Sequence, residues 1–162
     1  MARQLSRRLI YNAILKFKTD TLLNLKMLQR WQWLKPETAK ELQNKRLVQL
    51  LSHAYRNVPY YYEVLSDAGV VSNSGEIRLN NFTQIPLLNK KILRERFNDL
   101  KSRDLNKRKW YYNTSGGSTG EPARFIQDKK HNNWGRAIKI FYDMWTDYLI
   151  GEPKVLPMGF RM

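Results

Sequence analysis

The chain has 162 residues, a formal net charge of +15 and no cysteine. Its length suffices for one domain with a buried core, and the lack of cysteine excludes a disulfide framework, a thiolate metal site and a cysteine nucleophile. The sequence shows neither an apolar run long enough to span a membrane nor a secretory signal, so we expect a cytoplasmic protein.

The positive charge is uneven along the chain, because most of the basic excess lies in residues 1–114. Three interpretations stay open: binding of nucleic acid, contact with an anionic membrane surface, and a solvated face of an enzyme that uses anionic substrates. The acidic surface of a further C-terminal portion would also balance this charge.

The first predicted element is a basic amphipathic helix over residues 3–18, with an apolar stripe of Leu5, Leu9, Ala13 and Phe17. Such a stripe packs on its own domain more often than on a membrane, and we favour packing here. Peripheral contact of this basic N-terminus with an anionic membrane is the alternative. Trp31 and Trp33 are expected to be packing residues.

Two helices are predicted next. Pro36 is a favoured first helical residue, and the first helix ends before Val58-Pro59, because a residue that precedes proline resists helical geometry. A shorter helix follows from Tyr60 to Ala68, and Gly69 ends it in the C′ position. The apolar stripe of the first helix consists of Leu47, Leu50, Leu51, Ala54 and Tyr55.

Polar and charged segments separate these helices from the second half of the chain. Residues 71–81 are polar and are expected to form a loop. Asn89 is expected to cap a helix from Lys90 to Leu100, and a charged linker over residues 101–109 follows it.

Two short strands are predicted over residues 109–113 and 123–127, on either side of a Gly/Ser-rich segment. Asp128 then caps a long helix that Gly151 ends, and a further strand begins at residues 155–158. The apolar stripe of this last helix consists of Trp134, Ile138, Phe141, Trp145 and Leu149.

The segment between the two strands is rich in glycine and hydroxyl groups and reads Thr114-Ser115-Gly116-Gly117-Ser118-Thr119-Gly120-Glu121-Pro122. Glycines let the backbone approach a ligand, successive N–H groups form an anion nest, and hydroxyls add donors for phosphate oxygens. The segment lacks the Lys and Ser/Thr that follow the last glycine of a Walker A loop. Hydroxyls, N–H groups and a metal ion would therefore have to balance a phosphate charge. A hairpin turn without a ligand is the alternative.

This segment resembles the phosphate-binding loop of the adenylate-forming (acyl-activating) enzymes, whose usual form is TSGSTGxP; the chain has one extra glycine, TSGGSTGEP. Three further segments are similar to one branch of that superfamily, the phenylacetate–CoA ligase-like and capsular polysaccharide CapK-like proteins. They occur in the same order and at similar spacing, at residues 50–70, 82–100 and 134–151. The resemblance extends from near Leu42 to near Gly159.

The resemblance implies ATP-dependent activation of a carboxylic acid as an acyl-adenylate, with transfer to coenzyme A or another acceptor, in surface polysaccharide biosynthesis. Mg²⁺ would bridge the ATP phosphates. We expect the hydroxyls of Ser115, Ser118 and Thr119 to contact phosphate, while the extra glycine leaves open which hydroxyl meets which oxygen. Glu121 and Pro122 would shape the turn. The implied nucleotide-binding residues are Thr114, Ser115, Gly116, Gly117, Ser118, Thr119 and Gly120.

The fold class that the resemblance implies is α/β, the opening part of a ligase N-terminal domain. A helical region leads into a strand–phosphate loop–strand unit and a long helix. Residues 1–35 would form a basic helical lead and residues 36–162 a truncated AMP-binding domain. The family's metal-binding acid, ribose-binding aspartate and late lysine have no match, so the catalytic residues stay unassigned. We expect the chain alone to be inactive and to bind ATP weakly or not at all.

Other residue patterns point to different chemistry. His53 and His131 lie in no metal-ligand spacing, no Ser/His/Asp arrangement has a convincing context, and we expect no metal-binding residues. The aromatic–basic run over residues 108–112 is typical of a clamp for single-stranded nucleic acid or of a strand that enters the core, and we favour the core strand. Two alternatives to the enzyme stay open, a non-catalytic remnant and a basic module that binds membrane surfaces or nucleic acid.

Overall fold

The computed structural model describes residues 20–72, 74–115 and 122–146, together with Ala13. These residues form a mixed α/β structure that is mostly helical and contains a two-stranded antiparallel sheet. The elements are α1 (Thr21–Trp31), α2 (Pro36–Asn57), α3 (Pro59–Asp67), α4 (Lys90–Glu95), β1 (Trp110–Thr114), β2 (Arg124–Asp128) and α5 (Lys129–Met144), with 3₁₀ helices at Leu79–Gln84 and Leu105–Lys107.

The chain divides into two compact units, one from residues 1–33 and 130–162 and the other from residues 34–129. The helix predicted over residues 3–18, apart from Ala13, and the strand predicted at residues 155–158 lie outside the described residues. Among the helices that are described, none combines the length and the hydropathy needed to cross a membrane.

In the first unit, α1 and α5 meet through an aromatic stack. The rings of Trp31 and Trp134 lie 5.8 Å apart at an interplanar angle of 15°. The Gln29 Nε2 group also donates a hydrogen bond to Met144 Sδ at 3.6 Å. Trp31 is therefore a packing residue as predicted, whereas the same prediction for Trp33 is wrong, because Trp33 is 83% exposed.

The buried face of α5 differs from the predicted aromatic stripe. Asn133 and Ala137 are buried, whereas Ile138 and Trp145 are exposed. Small side chains let a helix approach its neighbour closely, and the large rings then lie beside the contact or in solvent. The helix ends at Met144, earlier than the predicted end before Gly151, and a turn follows at residues 145–146.

The core of the second unit lies between α2, α3 and the segment that follows α3. Its buried members are Leu51, Leu65, Val70 and Val71, and Leu47, Ala54 and Tyr55 of the predicted stripe pack against them. Leu50 was also predicted for this stripe but is 62% exposed. The predicted bounds of α2 are confirmed, since it begins at Pro36 and ends before Val58-Pro59.

A glycine in the left-handed backbone conformation follows the C-terminal end of α3. Gly69 has a φ of 63°, as its predicted C′ position requires, and Asn81 Nδ2 donates to its carbonyl oxygen at 2.8 Å. The next residues, predicted as loop, contain an isolated antiparallel bridge between Val71 and Ile77 and then a 3₁₀ helix.

The capping prediction for α4 is confirmed, because Asn89 Oδ1 accepts a hydrogen bond from Ile92 N at 2.9 Å. The helix ends at Glu95 rather than at Leu100. Arg96 leaves helical geometry, and its guanidinium donates to Asp99 Oδ2 at 2.6 Å and to Glu63 Oε2 at 2.9 Å. These two carboxylates raise the pKa of Arg96, with Asp99 the larger cause.

The charged linker after α4 is tied to the corner between α2 and α3. Tyr60 N donates to the Asp99 carbonyl at 3.1 Å, and Arg103 N donates to the Asn57 carbonyl at 2.7 Å. The linker therefore has a defined path, and it includes the 3₁₀ helix Leu105–Lys107.

The two predicted strands are present, each shifted by one residue toward the C-terminus. They pair antiparallel, with Trp110 opposite Asp128 and Thr114 opposite Arg124. All five residues of β1 are exposed. The expectation that β1 enters the core is therefore wrong, because its aromatic side chains lie on an exposed ribbon instead.

Candidate functional site

The predicted phosphate loop joins the paired ends of β1 and β2. Ser115 N donates to the Ala123 carbonyl at 2.9 Å, and Ala123 N donates to Ser115 Oγ at 3.0 Å. These bonds continue the pairing beyond the last ladder pair, and Ala123 is buried there. The Ser115 hydroxyl is thus fixed as an acceptor, and its own proton can donate elsewhere.

Thr114 and Ser115 are the only members of the predicted nucleotide-binding set that the structure describes. The other five, Gly116, Gly117, Ser118, Thr119 and Gly120, lie outside the described residues. Thr114 is exposed, and its N–H donates to Asn113 Oδ1 at 2.8 Å. The structure therefore describes Thr114 and Ser115 at the start of this segment, and Pro122 and Ala123 where the chain returns to β2.

Arg124 lies next to this loop and was not among the residues predicted from the sequence. It pairs with Thr114 in the antiparallel register, and directly paired residues project on the same face of a sheet. Arg124 could have been predicted from the strand register. If Ser115 pairs with Ala123, antiparallel pairing places Thr114 opposite Arg124. The structure therefore adds a guanidinium to a loop whose sequence lacks a lysine.

The Arg124 side chain stacks on aromatic rings. Its Cζ lies 4.6 Å from the ring centroid of Tyr112 and 4.9 Å from that of Phe97. Trp110 packs edge-on against Tyr112, with ring centroids 5.1 Å apart. Stacking on an aromatic face stabilises a guanidinium while leaving its N–H groups able to donate at the edges.

The opposite face of the hairpin is held by side-chain hydrogen bonds. Gln127 Oε1 accepts from Tyr111 OH at 3.1 Å and from Asn113 Nδ2 at 2.9 Å. Tyr111 and Asn113 alternate with Trp110 and Tyr112 along β1, as the two-residue period of a strand requires. This face therefore supports the ladder, and the cationic and stacking groups occupy the other one.

A polar cluster fixes the end of the hairpin that is far from the loop. Arg108 donates to Asp104 Oδ2 at 2.7 Å and its other terminal nitrogen lies 3.5 Å from Asp128 Oδ2. Ser102 Oγ donates to Asp104 Oδ1 at 2.5 Å. The hydrogen bonds from Ser102 and Arg108 lower the pKa of the Asp104 carboxyl to about 2, and Ser102 is the larger cause.

His53 joins this cluster, and with Ser102 and Asp104 it brings together the residue types of a hydrolase triad. In a catalytic triad the serine and the acid face different ring nitrogens. Here Ser102 Oγ and Asp104 Oδ1 both face Nε2, at 3.5 Å and 3.9 Å. Asn57 Nδ2 lies 3.2 Å from Nδ1 instead. Because the hydroxyl donates to the carboxylate and not to the imidazole, the arrangement cannot activate Ser102. His53 is instead a hydrogen-bonded residue of this cluster.

The donors at the loop end of the hairpin suit a phosphate and do not suit Mg²⁺. Mg²⁺ prefers one or two carboxylates together with substrate phosphates. The described residues offer the hydroxyls of Thr114 and Ser115 and the guanidinium of Arg124, all of which can donate to phosphate oxygens. Within the described ranges, no group of three or more His, Cys, Asp or Glu side chains could hold a metal ion.

Comparisons with protein-family models, with curated proteins and with solved structures found no match to this chain.

Proposed function

We propose that the chain carries the phosphate-binding segment of an adenylate-forming domain, and that the protein uses ATP to activate a carboxylic acid as an acyl-adenylate. The closed hairpin carries this proposal. The backbone and side-chain bonds between Ser115 and Ala123 pair the two ends of the TSGGSTG segment. Strands that stay paired as far as Ser115 and Ala123 favour a phosphate-binding segment over a Gly/Ser linker.

The proposed reaction needs fixed donors around the leaving group. A carboxylate oxygen forms a bond to the α-phosphorus as the bond from that phosphorus to the bridging oxygen breaks, and pyrophosphate leaves with the developing charge. Donors that are already positioned stabilise this charge without reorganisation. Ser115 is proposed as such a donor, because the Ala123 N–H holds its oxygen and leaves the hydroxyl proton able to donate. The hydroxyls of Ser118 and Thr119 complete the proposed set.

The acyl acceptor belongs to the same proposal. Attack of a thiol on the acyl carbon would release AMP and form a thioester, with coenzyme A as the proposed thiol. A role in surface polysaccharide biosynthesis rests on the CapK-like resemblance alone. Carboxylate-dependent exchange reports the adenylation step by itself, so it tests the enzyme class before any acceptor is known.

The test is carboxylate-dependent ATP–pyrophosphate exchange by the product of the complete reading frame that encodes these residues. We expect exchange in the unmodified protein and none in the Ser118→Ala, Thr119→Ala double variant. Ser74→Ala, which alters a hydroxyl outside the hairpin, is the matched control and should leave exchange unchanged. Absence of exchange with a broad panel of carboxylic acids would contradict the proposal.

A second candidate function is binding of single-stranded nucleic acid, and one specific observation favours it. Trp110, Tyr111 and Tyr112 are 38%, 43% and 46% exposed, although they were expected to enter the core. Exposed rings beside cations can stack on bases while the cations contact phosphates. This candidate predicts binding that weakens steeply as salt rises, with a slope that reflects the number of phosphate contacts.

A further inference from the structure

Two cationic side chains meet at the ring of Phe97. Lys101 Nζ lies 4.8 Å and Arg124 Cζ 4.9 Å from its centroid. The two charges therefore lie within about 10 Å of each other, which is about one Debye length at 0.1 M salt. The aromatic ring attracts each cation, so two like charges lie beside one side chain.

Lys101 and Arg124 have no acidic partner among the described residues, in contrast to Arg96 and Arg108. Arg96 pairs with Glu63 and Asp99, and Arg108 pairs with Asp104 and Asp128.

Lys101 instead donates to the neutral Asn98 Oδ1 at 2.8 Å, and the Arg124 guanidinium lies over the rings of Phe97 and Tyr112, whose centroids are 6.2 Å apart. An anion bound here would remove the repulsion between the two cations, which no described carboxylate does.

The position of this pair on the hairpin indicates which anion it suits. Arg124 lies opposite Thr114, in the last ladder pair before the loop, whereas the acidic Asp128 lies at the other end of the same strand. Arg124 therefore lies at the end of the hairpin that carries the exposed Thr114 and the Ser115 hydroxyl. A guanidinium presents a planar fork of donors that matches a phosphate, and an ammonium adds a second charge beside it.

We propose that Arg124 and Lys101 form a binding site for a phosphate group of a nucleotide polyphosphate. That the ligand is a nucleotide rests on the proposed function. The position of the site follows from Phe97, Tyr112 and the two cations. The site assigns to Arg124 the charge that the loop sequence lacks. Phe97 and Tyr112 are positioning residues that hold the guanidinium by stacking.

The test is a titration of the 162-residue chain with inorganic pyrophosphate, followed by two-dimensional ¹H–¹⁵N NMR. We expect saturable shifts of the Arg124 Nε–H signal and of the Lys101 and Phe97 amides. Arg124→Gln should raise the dissociation constant about tenfold, as expected for loss of one charge-assisted bidentate contact. Arg124→Lys should give an intermediate value because it keeps the charge and loses the fork. Lys101→Gln provides a second variant should Arg124→Gln lose its native spectrum.

The matched control is Lys91→Gln, which removes an exposed lysine that pairs with Glu95 on α4. It should leave the dissociation constant for pyrophosphate unchanged. An equal loss of affinity in Lys91→Gln and Arg124→Gln would mean that pyrophosphate binding depends only on the net charge of the chain. That result would overturn the site. No shift of the Arg124 and Lys101 signals at millimolar pyrophosphate would overturn it as well.

Two further experiments distinguish a failure of this site from a failure of the proposed function, and nucleotide binding from nucleic-acid binding. Pyrophosphate shifts that remain at Arg124 in the Ser118→Ala, Thr119→Ala variant support the site even where exchange activity is lost. Shifts confined to residues 114–120, with exchange intact in Arg124→Gln, would overturn the site and leave the proposed enzyme standing. Binding of an oligothymidylate to the same residues, at least tenfold tighter than pyrophosphate, would overturn the assignment to a nucleotide.

Discussion

Arg108 and Asp104 form a close ion pair, with a guanidinium nitrogen 2.7 Å from Asp104 Oδ2. The second terminal nitrogen of Arg108 lies 3.5 Å from Asp128 Oδ2, at the end of β2. One side chain thus joins the linker before β1 to the last residue of the sheet. The stability of this end of the hairpin should therefore depend on the ionisation of Asp104, whose pKa is lowered.

The first prediction concerns acid pH. The pKa of Asp104 falls from its usual 3.8 to about 2, mainly through the Ser102 hydroxyl and then through Arg108. Because the folded-state pKa is the lower one, the ionised carboxylate stabilises the fold above pH 3.8, and this contribution is lost as the pH falls toward 2. Thermal unfolding followed by circular dichroism should show Asp104→Asn with a lower Tm than the unmodified chain at neutral pH.

The difference between these two proteins should shrink as the pH falls toward 2, since the unmodified chain then loses the same interaction. Asp67→Asn, at the exposed end of α3, is the control and should follow the unmodified chain throughout. A Tm difference that is constant across this pH range would contradict the assignment.

A second prediction compares one substitution at two glycines. Gly69 has a φ of 63°, and an added Cβ would lie 3.1 Å from Asn81 Nδ2. Gly69→Ala should therefore destabilise the chain by about 1 to 2 kcal/mol, the cost of left-handed geometry for an L-residue. Gly135 lies in α5, where an added Cβ meets no atom within 4 Å. Gly135→Ala should stabilise the chain by about 0.5 to 1 kcal/mol.

The signs of these two effects can be measured by urea unfolding of both variants under one set of conditions. Equal effects at the two positions would mean that the left-handed conformation at Gly69 is not required in the folded chain.

The third prediction concerns the core of the second unit. Leu65 is fully buried, whereas Leu87 is 90% exposed. Leu65→Ala should lower the free energy of unfolding by about 2 to 5 kcal/mol, because the substitution loses buried surface and leaves a cavity. Leu87→Ala should change it by no more than about 0.5 kcal/mol. Chemical denaturation of both variants tests the difference, and similar losses would indicate that Leu87 is buried in solution.

The fourth prediction concerns the cap of α4. Asn89→Ala removes the bond from Ile92 N to the side-chain oxygen and should cost about 1 kcal/mol. Asn89→Asp keeps the acceptor and should retain most of the stability. The free energy of unfolding of the two variants decides the matter, and an alanine variant as stable as the aspartate variant would contradict the capping role.

Local chemistry explains which elements could be predicted from the sequence. Pro36, Val58-Pro59, Gly69 and Asn89 each constrain the backbone at their own position, and the helix ends that they predict are present. The paired strands were also predictable, since turn-forming residues separate two short β-prone runs.

The faces of these elements were harder to predict, because burial depends on partners that are distant in sequence. Three consecutive aromatic residues, Trp110, Tyr111 and Tyr112, carry no two-residue alternation, so they do not indicate which face of β1 is covered. On α5, Asn133 and Ala137 are buried in place of the larger Ile138 and Trp145, which hydrophobicity alone does not favour.

The candidate site shows the same division. The hydroxyls of Thr114 and Ser115 belong to a local sequence pattern and were predicted. Arg124 becomes relevant only through the strand register, and its stacking on Phe97 joins segments that no local rule connects. The contact of His53 with Ser102 likewise spans 49 residues.

The first turn of α3 is completed by a distant part of the chain, because the Tyr60 N–H donates to the Asp99 carbonyl. A helix that begins at Pro59 leaves this donor without an intrahelical acceptor, so the helix start and the linker form one cooperative unit. The amides of Tyr60 and Arg103 should consequently show the same free energy of protection against exchange with solvent deuterium. Deuterium exchange at the Tyr60 amide, in the first turn of α3, therefore measures how often the linker that leads to the hairpin detaches.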